Sequence, residues 1–397
     1  MIRRLPPLRL TGATVLRDDA LRAGDLSLAE GRIVAGVRGG NAVDVDLSGY
    51  LLLPGIVDMH GDGFERHIAP RPKAPFPIDM ALHSVDRELA AHGITTAWLA
   101  QGWSWEGGLR GPDFAEKLAA ALEAYRPNAM TDMRMQIRCE THMPETRDRM
   151  IAAVRRFGID YVVFNNHIPE AIQMVREAPQ NLAHWAEREG GSIEDFIARI
   201  RAAQDRAGDV PRHLNALAAA FDEIGVQYGS HDDPDGETRD LFHAIGARIC
   251  EFPTRTSAAS VAKTYGDAVV MGAPNVVRGG SQVGNVAATT LISRELCDVL
   301  VSDYHYPALP VAASMLAQGG TLTLARAWAM ISTNPARIMK LADRGTLDPG
   351  KRADIVVMNA ETRVIEATLA RGELAYIAGE AAARFMSVLS PSRLAAE

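Results

Sequence analysis

Imidazole and carboxylate side chains recur at the ends of short apolar runs in this chain. Leu51-Leu-Leu-Pro-Gly-Ile-Val-Asp-Met ends in His60-Gly61-Asp62, and Met135-Gln-Ile-Arg-Cys ends in Glu140-Thr141-His142. Phe164-Asn-Asn leads to His167, Tyr228-Gly-Ser to His231-Asp232-Asp233, and Val299-Leu-Val-Ser to Asp303. On a strand, residues i and i+2 share a side, so His60 and Asp62 can face one point, as can Glu140 and His142. Gly61 is expected to let the chain turn tightly just past His60. Any single one of these groups could be a hydrogen-bonded cap at a turn. Together they point to a shared ligand, because a charged carboxylate at the end of a buried run is costly without a compensating cation.

Nitrogen and oxygen donors without thiolate suit zinc, manganese or a similar divalent ion. The candidates His60, Asp62, Glu140, His167, His231 and Asp303 exceed one tetrahedral shell, so two ions are expected. Glu140 is the natural bridging carboxylate, holding the pair at ~3.5–4 Å. Two cations on one water would supply hydroxide at neutral pH, and Asp303 would act both as ligand and as the base that takes the proton. His142 is left as a ligand, a support for one, or a substrate contact.

Candidate substrate contacts follow the same strand ends. Phe64-Glu-Arg66-His67-Ile-Ala-Pro70-Arg71-Pro72-Lys73 places the cations Arg66, Arg71 and Lys73 on the loop leaving His60, with prolines to stiffen it. Guanidinium forks match phosphate oxygens, so a polyanion would suit them. Met271-Gly-Ala-Pro-Asn275-Val-Val-Arg278-Gly279-Gly280-Ser281 sets two glycines beside an arginine, which reads as an anion nest of backbone N–H groups. Asn275, Arg278 and Ser281 are therefore candidates, as are Asp232, Asp233 and, after the last strand, His305.

These groups need a scaffold that brings many strand ends to one rim. Strand candidates at 54–60, 94–100, 135–141, 160–167, 226–231, 247–253, 268–273 and 298–303 alternate with helical stretches such as Phe114–Ala124 and Arg147–Phe157. Eight such units over residues 54–345 predict an α/β fold, a (β/α)8 TIM barrel with its chemistry at the strands' C-terminal ends. An open doubly wound sheet is the competing layout, disfavoured because no Gly-x-Gly-x-x-Gly turn follows the first strand. A long helical excursion at 169–225 has the character of a lid or an oligomer contact. Alternating segments within 8–53, and again at 353–358, 363–368 and 373–378, predict one small β-domain built from residues 1–53 and 346–397.

Composition sets the outer bounds. The 397 residues are 47% hydrophobic and 23% charged, as in an ordinary soluble globular protein, and the net charge of −7 gives no reason to seek nucleic acid or anionic membrane. Cys139, Cys250 and Cys297 are odd in number and far apart, which suits a reducing cytoplasm. No secretory signal and no membrane span is expected, and a homodimer is the default assembly.

The chain resembles the amidohydrolase superfamily through Pro54-Gly-x-x-Asp58-x-His60 and the Gly350-Lys-Arg-Ala-Asp354 entry to the C-terminal β-piece. More narrowly it is similar to the PhnM family, in Glu65-Arg66-His67, Pro70-Arg71-Pro72, Ser230-His231-Asp232-Asp233, Gly272-Ala-Pro-Asn275, Arg278-Gly-Gly-Ser281, Gly284-Asn285, Ser302-Asp303-Tyr304 and Asn334-Pro335-Ala336-Arg337. The resemblance implies a metal-dependent hydrolase of phosphonate metabolism that cleaves α-D-ribose 1-methylphosphonate 5-triphosphate to the 5-phosphate and diphosphate. It implies attack by metal-held hydroxide at the α-phosphorus while cations neutralise the leaving diphosphate. Gln282-Val283 replaces a His-Ser of the family pattern, and His305 and Pro310 also differ, all where substrate would lie. The alternatives are another hydrolase of the superfamily, acting on an amide, cyclic amide or amidine C–N bond, and a non-catalytic scaffold.

Overall fold

The structure is a computed structural model and describes residues 5–36, 42–71, 74–177, 182 and 192–389. Lys73, named above as a substrate contact, lies outside the described residues. Among the described residues no helix is long and apolar enough to cross a membrane.

Strands β1 (Leu8–Thr11), β2 (Thr14–Arg17), β3 (Ala20–Ala23), β4 (Leu26–Ala29), β5 (Arg32–Val34), β6 (Val43–Asp46) and β7 (Tyr50–Pro54) come first. The barrel strands are β8 (Ile56–Gly61), β9 (Ile94–Trp103), β10 (Asp132–Glu140), β11 (Tyr161–Asn165), β12 (Gln227–His231), β13 (Ile249–Glu251), β14 (Ala268–Gly272) and β15 (Val299–Val301). β16 (Ile355–Asn359), β17 (Ile365–Ala370) and β18 (Glu373–Ile377) end the series. β8 to β15 pair in sequence order, all parallel. A parallel bridge between Gly61 and Asp303 brings the last strand back to the first. The fold is the expected (β/α)8 TIM barrel with a small β-domain from both termini.

In the small domain, a four-stranded sheet in the order β5-β4-β1-β6 faces a six-stranded sheet in the order β18-β17-β16-β7-β2-β3. Leu8, Leu10, Leu28 and Val45 of the first sheet pack with Leu52, Ile355, Val357 and Leu369 of the second, as alternating strands require. The apolar run 51–60 therefore serves both units. Its first half is β7, its second is β8, and Gly55 is the handover: a Cβ there would lie 2.4 Å from Thr95 Oγ1 and 2.8 Å from Asp354 Cβ.

Gly61 corrects an expectation. It is the last residue of β8, not a turn, and what demands glycine is crowding, with Ser302 Oγ and a Tyr306 ring carbon each 2.7 Å from where a Cβ would sit. The barrel lumen is filled by Val57, Met59, Trp98, Tyr161, Val163, Val270 and Val301, a packed core with no pore.

The excursion after β11 contains helices Ile168–Glu177, Ile193–Gln204 and Val210–Ile224. Ser192 and Asp195 form a capping box at the second helix, which fixes its start. That helix lies against the loop after β9, with Arg199 donating to the Glu106 carbonyl and Phe196 5.7 Å from Trp105 between ring centroids.

Candidate metal centre

Three rim strands end on tight left-handed residues, and this is how their functional groups reach the barrel mouth. Asp232, Phe252 and Asp303 have φ of 59°, 49° and 55°, a region that costs a non-glycine residue roughly 1–2 kcal/mol. β8 is tied to β15 by Asp58, whose carboxylate accepts from Ser302 N at 3.0 Å and Ser302 Oγ at 2.5 Å. Asp303 N donates to the His60 carbonyl at 3.0 Å, and Asp62 N to the Asp303 carbonyl at 2.9 Å. His60, Asp62 and Asp303 are thereby locked into one register.

Ligand-type atoms of His60, Asp62 and Asp303 lie within 4.8 Å of one another, and so do those of His60, His231 and Glu251. His60 belongs to both groups. The donor set is imidazole and carboxylate, as a divalent cation of the zinc or manganese type requires. Burial, and then the neighbouring Asp62 charge, push the Asp303 carboxyl up to about 7. Two carboxylates crowded at a buried rim are what a bound cation would relieve, so these residues fit such an ion.

Glu140 and His167, expected to share the centre, pair with each other. Among the described residues neither three-ligand group includes them. They face each other, with His167 Nδ1 2.5 Å from Glu140 Oε1, and Trp105 Nε1 donates to Glu140 Oε2 at 3.2 Å. Arg138 shares the inner face of β10 with Glu140. Its Nη1 lies 3.5 Å from Asp62 Oδ2 and its Nη2 3.2 Å from His231 Nε2. The Asn165 amide, turned to face it, accepts from Nε at 3.2 Å.

A cleft of about 220 Å³ opens over the rim, bordered by His60, Arg138, His231, Asp232, Asp303, Arg278 and Ser281. Asn275 also borders it, although its side-chain oxygen is occupied by Ala288 N at 2.9 Å. The anion nest is not there. Gly279 N and Gly280 N donate back to the Val276 and Asn275 carbonyls, closing the C-terminus of helix Ala273–Arg278, so those N–H groups are already used.

Among the described residues, the other substrate-contact candidates do not border this cleft. Arg66 pairs with Glu88 and donates to the Tyr304 carbonyl at 3.0 Å, and His67 Nε2 is 2.6 Å from Glu88. Arg71 and His305 are exposed. Asp233 is buried against Ser230 Oγ at 2.7 Å and Arg239 at 3.4 Å, a structural pairing. His142 Nδ1 is 3.0 Å from Thr141 Oγ1, and His142 borders a second, largely apolar cavity with Leu214 and Phe242 that shares His231 and Asp232 with the cleft.

Glu251 and Arg138 are the residues sequence reasoning missed. Glu251 had a signal, since it ends the apolar run Ile249-Cys250 just as Glu140 ends its own. Arg138 had none, because a cation at an inward position looks like a misfit until its acidic neighbours are placed.

A protein of Escherichia coli (strain K12) named alpha-D-ribose 1-methylphosphonate 5-triphosphate diphosphatase is 33% identical over 324 residues, 79% of this chain and 84% of that one. The chain belongs to the amidohydrolase superfamily, as a PhnM-like hydrolase. The Amidohydrolase family model matches residues 308–381 of this PhnM-like chain. Among solved structures, dihydropyrimidinase from Brevibacillus agri NCHU1002 is similar with a TM-score of 0.61 and 12% identity, covering 94% of this chain and 95% of that one. An N-acyl-D-glutamate deacylase from Bordetella bronchiseptica, complexed with zinc and a phosphonate inhibitor, gives 0.58 and 18%, covering 94% and 96%. These two likenesses speak for the fold of the PhnM-like barrel and its β-domain.

Proposed function

We propose that the chain is a metal-dependent diphosphatase of phosphonate metabolism, cleaving α-D-ribose 1-methylphosphonate 5-triphosphate to the 5-phosphate and diphosphate. The observation that carries this reading is the coincidence of a 33%-identical relative of that name with a cation-fitting rim beneath a cleft bordered by Arg138 and Arg278. His60, Asp62 and Asp303 would hold the ion, joined by His231 once the Arg138 guanidinium gives up its contacts with Asp62 and His231. When bound, a divalent cation lowers the pKa of water and neutralises charge on phosphoryl oxygens. Asp303, beside that ion, would take the proton from the attacking water. Arg278 meets the phosphate chain and stabilises charge on the departing diphosphate.

Two ions, zinc or manganese, remain the proposed complement. A second ion beside Glu140 and His167 would compete with the Arg138 guanidinium, so metal content per chain after loading decides between one and two. Removing metal with a chelator is expected to abolish hydrolysis, and adding zinc or manganese to restore it. A cytoplasmic homodimer without nucleic-acid or membrane partners belongs to the same proposal.

The second reading is hydrolysis of an amide, cyclic amide or amidine. It is favoured by Arg66, which is engaged by Glu88 and lies away from the cleft. Rates of diphosphate release from the ribosyl triphosphate, beside rates on acylated amino acids, hydantoins and nucleobases, separate the two. Turnover of the panel with an inert triphosphate would replace the first reading by the second.

A further inference from the structure

Glu251 sits at the end of β13 with no solvent exposure, and four donors from four other barrel strands converge on its carboxylate. His60 Nδ1 of β8 is 2.9 Å and His231 Nδ1 of β12 is 3.0 Å from the same oxygen, Oε2. Gln136 Nε2 of β10 donates to Oε1 at 2.8 Å, and the Tyr161 hydroxyl of β11 donates to it at 2.5 Å. A buried carboxylate is expensive to desolvate unless donors compensate it. Here each carboxylate oxygen meets two donors, and two of the four are imidazoles from the candidate metal centre. An ionised carboxylate only accepts, so each Nδ1 facing it must carry a proton. In the neutral ring that leaves the lone pair on Nε2. The two rings lie stacked, 5.2 Å between centroids and 20° between planes, with Phe252 against both. They are therefore oriented as a unit.

We propose that Glu251 is the positioning residue of the centre: one carboxylate oxygen fixes the Nδ1–H tautomer of both His60 and His231, leaving both Nε2 lone pairs for a divalent cation, which on His231 takes the place of the Arg138 contact at 3.2 Å. This inference rests on the cation reading above, but its first half concerns protons that can be located with no metal bound. Gln136 and Tyr161 hold the far oxygen and keep the carboxylate from turning. Glutamine is a poor substitute at this position, because its amide has one acceptor oxygen where two pairs of donors converge.

The test uses the full-length chain with 15N-labelled histidine and long-range proton–nitrogen correlation spectra, His60→Gln and His231→Gln serving to assign the signals. In metal-free protein both residues are expected to show Nδ1 protonated and Nε2 bare, and loading with zinc is expected to shift Nε2. In Glu251→Gln the pattern is expected to become mixed, with zinc affinity, read by competition against a chromophoric chelator, falling about 10- to 100-fold. Tyr161→Phe removes one far-side donor and covers the case in which Glu251→Gln does not fold. It is expected to keep the tautomers and lose less than 10-fold in affinity. Protonation at Nε2 in the metal-free parent, a zinc-induced shift at Nδ1, or unchanged zinc affinity in folded Glu251→Gln would each overturn the proposal. A parent chain that shows the expected tautomers and binds no divalent ion would instead overturn the cation reading, and the purpose assigned to Glu251 with it.

Discussion

Asp303 occupies a left-handed backbone position, accepts the Asp62 N–H on its carbonyl and donates its own N–H to His60. Its side chain is therefore aimed by main-chain bonds, and substitution of the carboxylate leaves the aim intact. Asp303→Asn keeps the shape and removes both the charge and the proton acceptor. Hydrolysis by this variant is expected to fall at least ~10³-fold, with circular dichroism and thermal midpoint near those of the parent. Activity within tenfold of the parent would remove Asp303 from the proton-transfer role. Arg138 is the counterpart at this scale, since a guanidinium 3.5 Å from Asp62 and 3.2 Å from His231 occupies the place where negative charge and imidazole lone pairs meet.

Elements differ in what they ask of solvent. Helix Val210–Ile224 is anchored on the barrel by Leu217 and Phe221, and it also buries His213 with both ring nitrogens lacking hydrogen-bond partners. Burial, and then the nearby Arg147 charge, push that imidazole down to about 4. The native protein then binds fewer protons at this site than the unfolded chain, whose histidine titrates near 6.5. The helix's contribution is full above that value and is lost as pH falls from about 6.5 towards 4, on the order of 2 kcal/mol once partial solvent screening is allowed for. His213→Leu is expected to flatten this slope, read as the difference in urea midpoint between pH 7.5 and pH 5. An unchanged slope would assign the acid sensitivity to other groups.

At the scale of the whole molecule the two ends of the barrel have separate duties. At the N-terminal end Asp132 of β10 meets Arg344 at 2.7 Å, Arg134 at 3.0 Å and Arg352 at 3.6 Å, and Arg352 also meets Asp354 at 2.6 Å. Burial alone would raise the Asp132 carboxyl, but Arg134 and Arg344 outweigh it and hold the group well below the usual carboxylate range. This network joins the barrel floor to the chain entering β16. Asp132→Asn is expected to lower stability by about 2–3 kcal/mol in urea unfolding, because three crowded guanidinium groups lose the carboxylate they share and keep only Asp160, Asp343 and Asp354. The specific activity of the folded protein is expected to stay within twofold, since catalysis belongs to the opposite rim. A large loss of activity at full folding would show that the floor is coupled to the site.

The order of the barrel strands, the small domain from both termini, and the set of His, Asp and Glu at strand ends were all legible in the residues, because hydrophobic periodicity and strand alternation are local properties. His60, Asp62, His231 and Asp303 could be named from the runs they terminate. Which of the named groups share a point was decided only by tertiary structure. Arg138 and Glu140 sit two residues apart on one face of β10, yet the guanidinium reaches Asp62 and His231 while the carboxylate turns to His167 and Trp105. The glycines after Arg278 look like a nest in sequence, and helix closure uses their N–H groups instead. Glu251 acquires meaning only when four strands bring their donors to it, because convergence across a barrel depends on register and closure, which no single stretch of chain encodes.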